Sequence, residues 1–235
     1  MTNEIVLSDR LRNIMAFLPN GSYFADIGSD HAYLPIAVCQ NDQEAKAIAG
    51  ELNEGPYQSA LKHVKQQLLS DRIEVIKGDG LEVIQNKPVK QVVIAGMGGG
   101  LIRSILEKRK HLLKDVERLI LQPNVDSECI REWLLDTEYQ LIAERILEED
   151  GHIYEILVAD MLTTNRVREY SAKELLFGPY LLKDKNRVFK QKWQRELTNN
   201  HNIIRQMKQA KKPDLNKIKQ FEIKGKWIQE VLEDD

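Results

Sequence analysis

The stretch Phe24-Ala-Asp-Ile-Gly-Ser-Asp-His-Ala-Tyr-Leu-Pro35 decides the fold. Its apolar run through Asp26 predicts a strand, Gly28 predicts a turn, and Tyr33 to Cys39 predicts a helix. A strand that turns on glycine into a helix opens the nucleotide-binding half of a doubly wound α/β domain. The glycine lets the backbone approach a ligand, and the helix N-terminus offers it free N–H groups. A second strand, Ala45 to Glu51, ends in an acid 25 positions beyond Asp26. An acid so placed accepts from both hydroxyls of a ribose, so the expected ligand carries an adenosine-like sugar.

Outward from this unit, strands and helices alternate. An amphipathic helix carrying Leu7, Leu11, Ile14, Met15 and Leu18 comes first, capped by Ser8 or Asp9 and ended by Pro19-Asn20-Gly21. A helix from Pro56 to Leu69 follows the second strand, and a third strand spans Ile73 to Lys77. The fourth strand, Gln91 to Ala95, runs into Gly96-Met97-Gly98-Gly99-Gly100 and a helix through Lys110. The fifth, Arg118 to Gln122, ends at Pro123-Asn124, before a helix from Ser127 to Thr137. Two last strands, Tyr139 to Leu147 and His152 to Asp160, are close enough for a hairpin. Alternation predicts a parallel sheet covered on both faces. A terminal antiparallel hairpin on such a sheet is the ending of Rossmann-like class I methyltransferases that use S-adenosylmethionine. The predicted fold class is therefore α/β, a seven-stranded mostly parallel sheet.

Beyond Asp160 the strand signal stops. Helices broken at Gly178-Pro179 and Pro213 offer two stripes: Val188, Trp193, Leu197, Ile204, Met207, and Leu215, Ile218, Trp227, Val231. Joined near Lys211-Lys212-Pro213-Asp214, they predict a coiled-coil-like helical hairpin. The expected domains are residues 1–160, binding the cofactor, and 161–235, a basic helical arm.

Charge separates these parts. The formal net charge is −2, yet residues 1–165 carry −9, residues 166–226 carry +11, and the last nine carry −4. An acidic domain with a basic appendage points to a polyanion partner. The cations expected to meet phosphates are Lys183, Lys185, Arg187, Lys190, Lys192, Arg195, Arg205, Lys208, Lys211 and Lys212. Tyr180, Phe189 and Trp193 lie among them, at a spacing that favours hairpin core over base stacking.

Open α/β sheets bind ligands at the carboxyl ends of their strands. There Gly28 lets the chain approach the methionine part of the cofactor, and Asp26 or Asp30 meets its ammonium group. Glu51 accepts from the ribose, and Asp79 from the adenine amine, with the N–H of Gly80 near a ring nitrogen. Ser29, His31, Gly96 and Met97 complete the expected cofactor surface, and His31 is also placed to stack on a base. The acids Asp26 and Asp30 stand where a pyrophosphate needs positive charge, which disfavours NAD and favours a sulfonium cofactor.

The stretches Asp26 to Pro35, Ala95-Gly-Met-Gly-Gly99, Leu121-Gln-Pro-Asn124 and Leu176-Phe-Gly-Pro-Tyr180, with the basic tail, resemble the TrmK family. Those proteins are bacterial tRNA (adenine-22-N1)-methyltransferases. The resemblance covers nearly the whole chain and implies S-adenosylmethionine as cofactor and tRNA as substrate. Asp30 and Ala32 replace glycines of the common methyltransferase loop.

The residues also bear on the reaction. Ala95-Gly-Met-Gly-Gly stands where enzymes methylating exocyclic amines carry Asn/Asp-Pro-Pro-aromatic. Cys39 and Cys129 both read as helical, so the covalent route to C5 of pyrimidines lacks its nucleophile. A ring nitrogen such as adenine N1 needs neither device. Asp30 is the expected stabiliser of the emerging cation, with Gln122 and Asn124 reading or positioning the adenine edge. The competing readings are the same chemistry on another RNA or a protein, and a non-catalytic RNA-binding protein on a Rossmann-like fold. No metal or disulfide is expected from the two cysteines, and His63, His111, His152 and His201 show no grouping. Neither a signal peptide nor an apolar run of about 18 residues is present. A monomeric cytoplasmic protein without membrane contact is expected.

Overall fold

The computed structural model describes residues 5–162 and 169–234 of the 235-residue chain. They form two compact units that divide between Ser171 and Ala172.

The first unit is built on a seven-stranded sheet: β1 (Tyr23–Ile27), β2 (Lys46–Glu51), β3 (Ile73–Lys77), β4 (Gln91–Gly98), β5 (Arg118–Val125), β6 (Tyr139–Glu149) and β7 (His152–Met161). The spatial order is β3-β2-β1-β4-β5-β7-β6, with β1 to β5 parallel and β7 antiparallel to both its neighbours. The expected Rossmann-like fold and terminal hairpin are both present. The chain reverses its direction of travel across the sheet between β1 and β4, which opens a crevice above their carboxyl ends. Asp150 and Gly151 turn the hairpin with φ of +50° and +78°, the left-handed pair that matches strand twist.

Helices α1 (Asp9–Met15), α2 (Tyr33–Asn41), α3 (Glu54–Gln66), α4 (Gly99–Lys108) and α5 (Ser127–Leu135) cover the sheet. Ser8 caps α1, its Oγ accepting from the Leu11 N–H at 3.3 Å. The core is continuous from Ile14 and Phe24 through Ile36, Val93, Ile120 and Val158. Arg131 of α5 is buried and donates to Glu144 of β6 and Glu155 of β7, each at 2.6 Å. A single buried cation thus ties a helix to both hairpin strands. Such a triad is sensitive to removal of any one member.

Some boundaries differ from the sequence reading. Strand β4 continues past Ala95 through Gly98, and β5 passes Gln122 and includes Pro123. Glycine and proline read as turn residues, but here each strand provides the other with a partner. Their register shifts between Ala95 and Met97 and again between Met97 and Gly98, a bulge that absorbs the irregularity.

The second unit contains α6 (Ala172–Phe177), α7 (Leu181–Asp184), α8 (Arg187–Gln209) and α9 (Leu215–Glu233). Asn186 and Asp214 cap the two long helices through the N–H groups of Phe189 and Lys217, both at 3.0 Å. The buried stripe of α8 begins at Phe189 rather than Val188 and continues through Trp193 and Leu197 to Asn200. On α9 it runs through Ile218, Gly225, Ile228 and Val231, whereas Leu215 is exposed and Trp227 only partly buried. Phe177 packs edge-on to Trp193 with ring centroids 4.5 Å apart. Phe189 and Trp193 are therefore hairpin core. Among the described residues no helix is long and apolar enough to cross a membrane.

Candidate active site

The loop leaving β1 folds back on β2, because the N–H groups of Gly28 and Ser29 both donate to the Gly50 carbonyl at 2.9 and 3.2 Å. Gly28 adopts φ +71°, and a Cβ there would lie 2.4 Å from the Met97 methyl group. A side chain there would be strained by the positive φ and would displace the end of Met97. Asp30, His31 and Ala32 follow with φ of +45°, +66° and +59°, three consecutive non-glycine residues in the left-handed region. Each such residue costs about 1–3 kcal/mol, a strain that the surrounding packing has to hold. Two of them are the positions where the common loop carries glycine.

Two buried acids stand at the strand ends beside this loop, Asp26 on β1 and Glu51 on β2. Asp26 is buried and accepts from Ser29 Oγ at 2.7 Å. Burial pushes its carboxyl up to about 7, with the neighbouring charge of Glu51 adding to the effect. Glu51 is also buried, and its carboxyl is raised by burial first, against the opposing hydrogen bond from the Asp30 backbone. The Oε1 atom of Glu51 is buried without a hydrogen-bond partner. Two buried acids, one with an orphaned oxygen, form an electrostatic site for a cation bearing hydrogen-bond donors.

The bulge between β4 and β5 builds the opposite wall. Gly96 has φ +76°, which takes its backbone out of the ladder. Side-chain amides replace the lost bonds. The Gly96 N–H donates to Gln122 Oε1 at 3.0 Å, and Asn124 Nδ2 donates to the Gly96 carbonyl at 2.9 Å. Gln122 Nε2 in turn donates to Asn124 Oδ1 at 3.2 Å. Gln122 is completely buried, so it cannot meet an adenine edge as the sequence reading allowed, and its part is positioning. Asn124 remains at the surface of the cleft.

The sequence reading missed Arg10. Its Nη1 donates to Gln122 Oε1 at 2.6 Å, and its guanidinium lies 5.3 Å from the centre of the Tyr154 ring. Arg10 comes from α1, whose N-terminal N–H groups at Asp9 and Arg10 are both received by Glu149. Arg10, Tyr33 and Tyr154 join Asp26, Gly28, Ser29, Asp30, Gly96, Met97 and Asn124 around a cleft of about 300 Å³.

Five predicted residues are not in the lining of this cleft: the buried Glu51 and Gln122, and His31, Asp79 and Gly80. Asp79 pairs with Lys108 and Arg109, which hold its carboxyl below the usual range. Its N–H is received by Glu82 at 3.1 Å, and Gly80 opens the short helical turn that follows. His31 faces Asp30 at 3.4 Å and makes a ring cluster with Tyr33 and His63, all centroids 5.6 Å apart. The expectation that His63 has no grouping is corrected. Its Nδ1 lies 3.2 Å from the His31 carbonyl oxygen.

In the second unit, Lys183, Arg187, Lys190, Arg195, Arg205, Lys208, Lys211 and Lys212 are exposed. Lys185 is turned inward, donating to the Asp234 carbonyl at 2.7 Å, and Lys192 lies over the Trp193 ring at 4.8 Å. Lys208 pairs with Glu222 at 2.7 Å, linking α8 to α9.

Known proteins share this architecture. Residues 24–229 match the family model described as TrmK, tRNA (adenine(22)-N(1))-methyltransferase. The chain is 46% identical, over 98% of its length and 99% of the relative's, to a Bacillus subtilis protein named tRNA (adenine(22)-N(1))-methyltransferase. A solved Streptococcus pneumoniae structure is named a putative tRNA (m1A22) methyltransferase in complex with S-adenosyl-L-methionine. It superposes with a TM-score of 0.87 at 41% identity, over 97% of this chain and 100% of that one. M. capricolum TrmK, solved with the cofactor product S-adenosyl-homocysteine, gives a TM-score of 0.84 at 28% identity, over 97% and 98%.

Proposed function

The chain belongs to the TrmK family of tRNA (adenine(22)-N(1))-methyltransferases, and we propose how its own residues carry methyl transfer to N1 of adenine 22. S-adenosylmethionine supplies a methyl group activated on a cationic sulfur. The residues present fit that group. Gly28 keeps the loop bare beside the Met97 methyl group, the orphaned Glu51 Oε1 lacks a donor, and Asp26 gains from a nearby cation. This last pairing of two buried acids is the observation that carries the reading.

Glu51 accepts from the ribose hydroxyls, and Asp26 or Asp30 receives the ammonium group. Asp79 and Gly80 attend the adenine of the cofactor, with Asp79 kept ionised by Lys108 and Arg109. Ser29 holds Asp26 in place, and His31, Gly96 and Met97 close the surface.

N1 of neutral adenine already offers its lone pair, so no residue has to remove a proton before attack. As N1 bonds to the methyl carbon, the carbon–sulfur electron pair returns to sulfur, and the positive charge passes to the base. Asp30, in the cleft wall and largely open to it, faces the incoming base and stabilises that charge. Gln122 fixes Arg10 and Gly96, while Asn124 positions the adenine edge. Alignment by such a wall supplies up to about 7–11 kcal/mol in well-oriented systems.

Residues 161–235 are the tRNA-binding part of this reading, supported by the excess of cations there. They neutralise phosphates without reading sequence. A monomer in the cytoplasm accompanies it, and light scattering should then give a mass near 27.2 kDa. Incubating unmodified tRNA with the protein and S-adenosylmethionine, then digesting to nucleosides for mass spectrometry, tests the whole. The expected product is 1-methyladenosine at position 22, abolished when that adenine is replaced. Methylation elsewhere in the tRNA would overturn the positional assignment.

A further inference from the structure

Asn200 is the anomaly of the helical hairpin. It lies in the buried stripe of α8, only 3% exposed, and both its Oδ1 and Nδ2 are buried without a hydrogen-bond partner. Opposite stands Gly225 of α9, where a Cβ would lie 3.0 Å from Asn200 Oδ1. A cleft of about 280 Å³ opens at this point between the helices, lined by Asn200, His201, Ile204, Gly225, Lys226 and Gln229 among others.

Packing accounts for the glycine but not for the unpaired amide. A leucine at residue 200 would continue the apolar stripe, whereas Gly225 lets α9 approach the Asn200 amide closely. The amide instead presents one donor and one acceptor side by side, the complement of a nucleobase edge. Ile204 supplies an apolar surface, and His201, Lys226, Gln229 and the acid Glu222, itself paired with Lys208, complete the lining. Arg205, Lys211 and Lys212 are exposed further along the same arm, where cations are available to flanking phosphates.

We infer that the α8–α9 cleft at Asn200 and Gly225 receives one unpaired nucleobase of the tRNA, read by the Asn200 amide. This rests on the proposed tRNA-binding role of the arm. It adds a base-reading contact to what is otherwise a phosphate-binding surface. The pocket shares no lining residue with the strand-end cleft, and the base it takes is distinct from the methylated one.

The test uses the full-length protein with unmodified tRNA transcript. Asn200→Leu removes the amide and completes the apolar stripe, while Gly225→Ala narrows the cleft and keeps the amide. Asn200→Leu should raise or preserve the melting temperature yet weaken tRNA binding about tenfold, as for loss of one good base contact. The slope of log affinity against log salt should not change, since no phosphate contact is lost. S-adenosylmethionine affinity by calorimetry should stay at wild-type level. Unchanged tRNA affinity in both variants would overturn the inference and leave Asn200 as a residue satisfied by water. If Asn200→Leu lowers the melting temperature, Gly225→Ala decides alone. Wild-type protein that binds the cofactor but not tRNA would overturn the tRNA role itself, a result distinct from failure of this pocket.

Discussion

Arg10 Nη1 and Gln122 Oε1 lie 2.6 Å apart, and the same oxygen receives the Gly96 N–H at 3.0 Å. One buried amide therefore holds both a cation of the cleft and the bulged strand beneath it. Gln122→Met keeps the shape and leaves both donors without an acceptor. The expected cost is about 1–3 kcal/mol, which for a chain of this size lowers the melting temperature by several degrees. Differential scanning calorimetry checks it. A melting temperature equal to wild type would show that the network does not support the cleft.

Glu51→Gln keeps the volume of the side chain and removes its charge. S-adenosylmethionine affinity should fall by about 1.5–3 kcal/mol, the range for hydrogen bonds to a charged group. Titration calorimetry measures this directly, and the tRNA affinity of the same variant should remain unchanged.

Cofactor affinity should also depend on pH through Asp26, whose carboxyl burial lifts to about 7 from an ordinary 3.8. Below pH 7 the side chain is neutral in the unliganded protein, and a cation gains little from it. Affinity should therefore rise as pH passes upward through 7 and then level off. Between about pH 4 and 7 the folded protein holds a proton that the unfolded chain has lost, so this group lowers stability as pH rises across that window. Asp26→Asn should flatten both curves relative to wild type, as followed by calorimetry and thermal melts at fixed salt.

The left-handed turn separates chemistry from strain. Asp30→Ala should slow single-turnover methyl transfer about tenfold or more, with cofactor and tRNA affinity little changed. Ala32→Gly relieves the left-handed penalty and should add about 1 kcal/mol of stability, net of the extra flexibility of glycine. A rate near wild type for Asp30→Ala would assign that residue to binding instead.

Reversing Arg205, Lys211 and Lys212 to Glu should weaken tRNA binding and lessen its salt dependence, because fewer counterions are released. Filter binding across a salt series measures the slope. Cofactor affinity should not move.

The sheet was readable because its strands are short apolar runs punctuated by Gly, Asp and Pro, and because Asp26 and Glu51 terminate successive runs. Local pattern carried less where a distant partner decides the outcome. Gly96-Met97-Gly98 reads as a turn in isolation and becomes strand only because β5 and the amides of Gln122 and Asn124 complete its hydrogen bonds. Arg10 meets Gln122 across 112 positions and His63 meets His31 across 32, separations that no periodicity reports. On α8, choosing Val188 over Phe189 shifted one end of the stripe, since both apolar residues suit the helical spacing.

The anchoring of α1 also sets an order of assembly. This helix is made first, yet its N-terminus is received by Glu149, and Asn13 accepts from Arg145 at 2.8 Å, both near the far end of the sheet. Asp26 and Glu51 precede in the chain all the residues that seat Arg10, namely Gln122, Glu149 and Tyr154. The wall of the cleft is complete only with the terminal hairpin in place, and the contact that seats α1 closes a loop across 139 positions, an entropic cost that local contacts do not carry. The pocket and the last two strands of the sheet are therefore completed together, and a fragment lacking the hairpin keeps both acids and Arg10 but loses Glu149 and Tyr154, which hold the arginine in place.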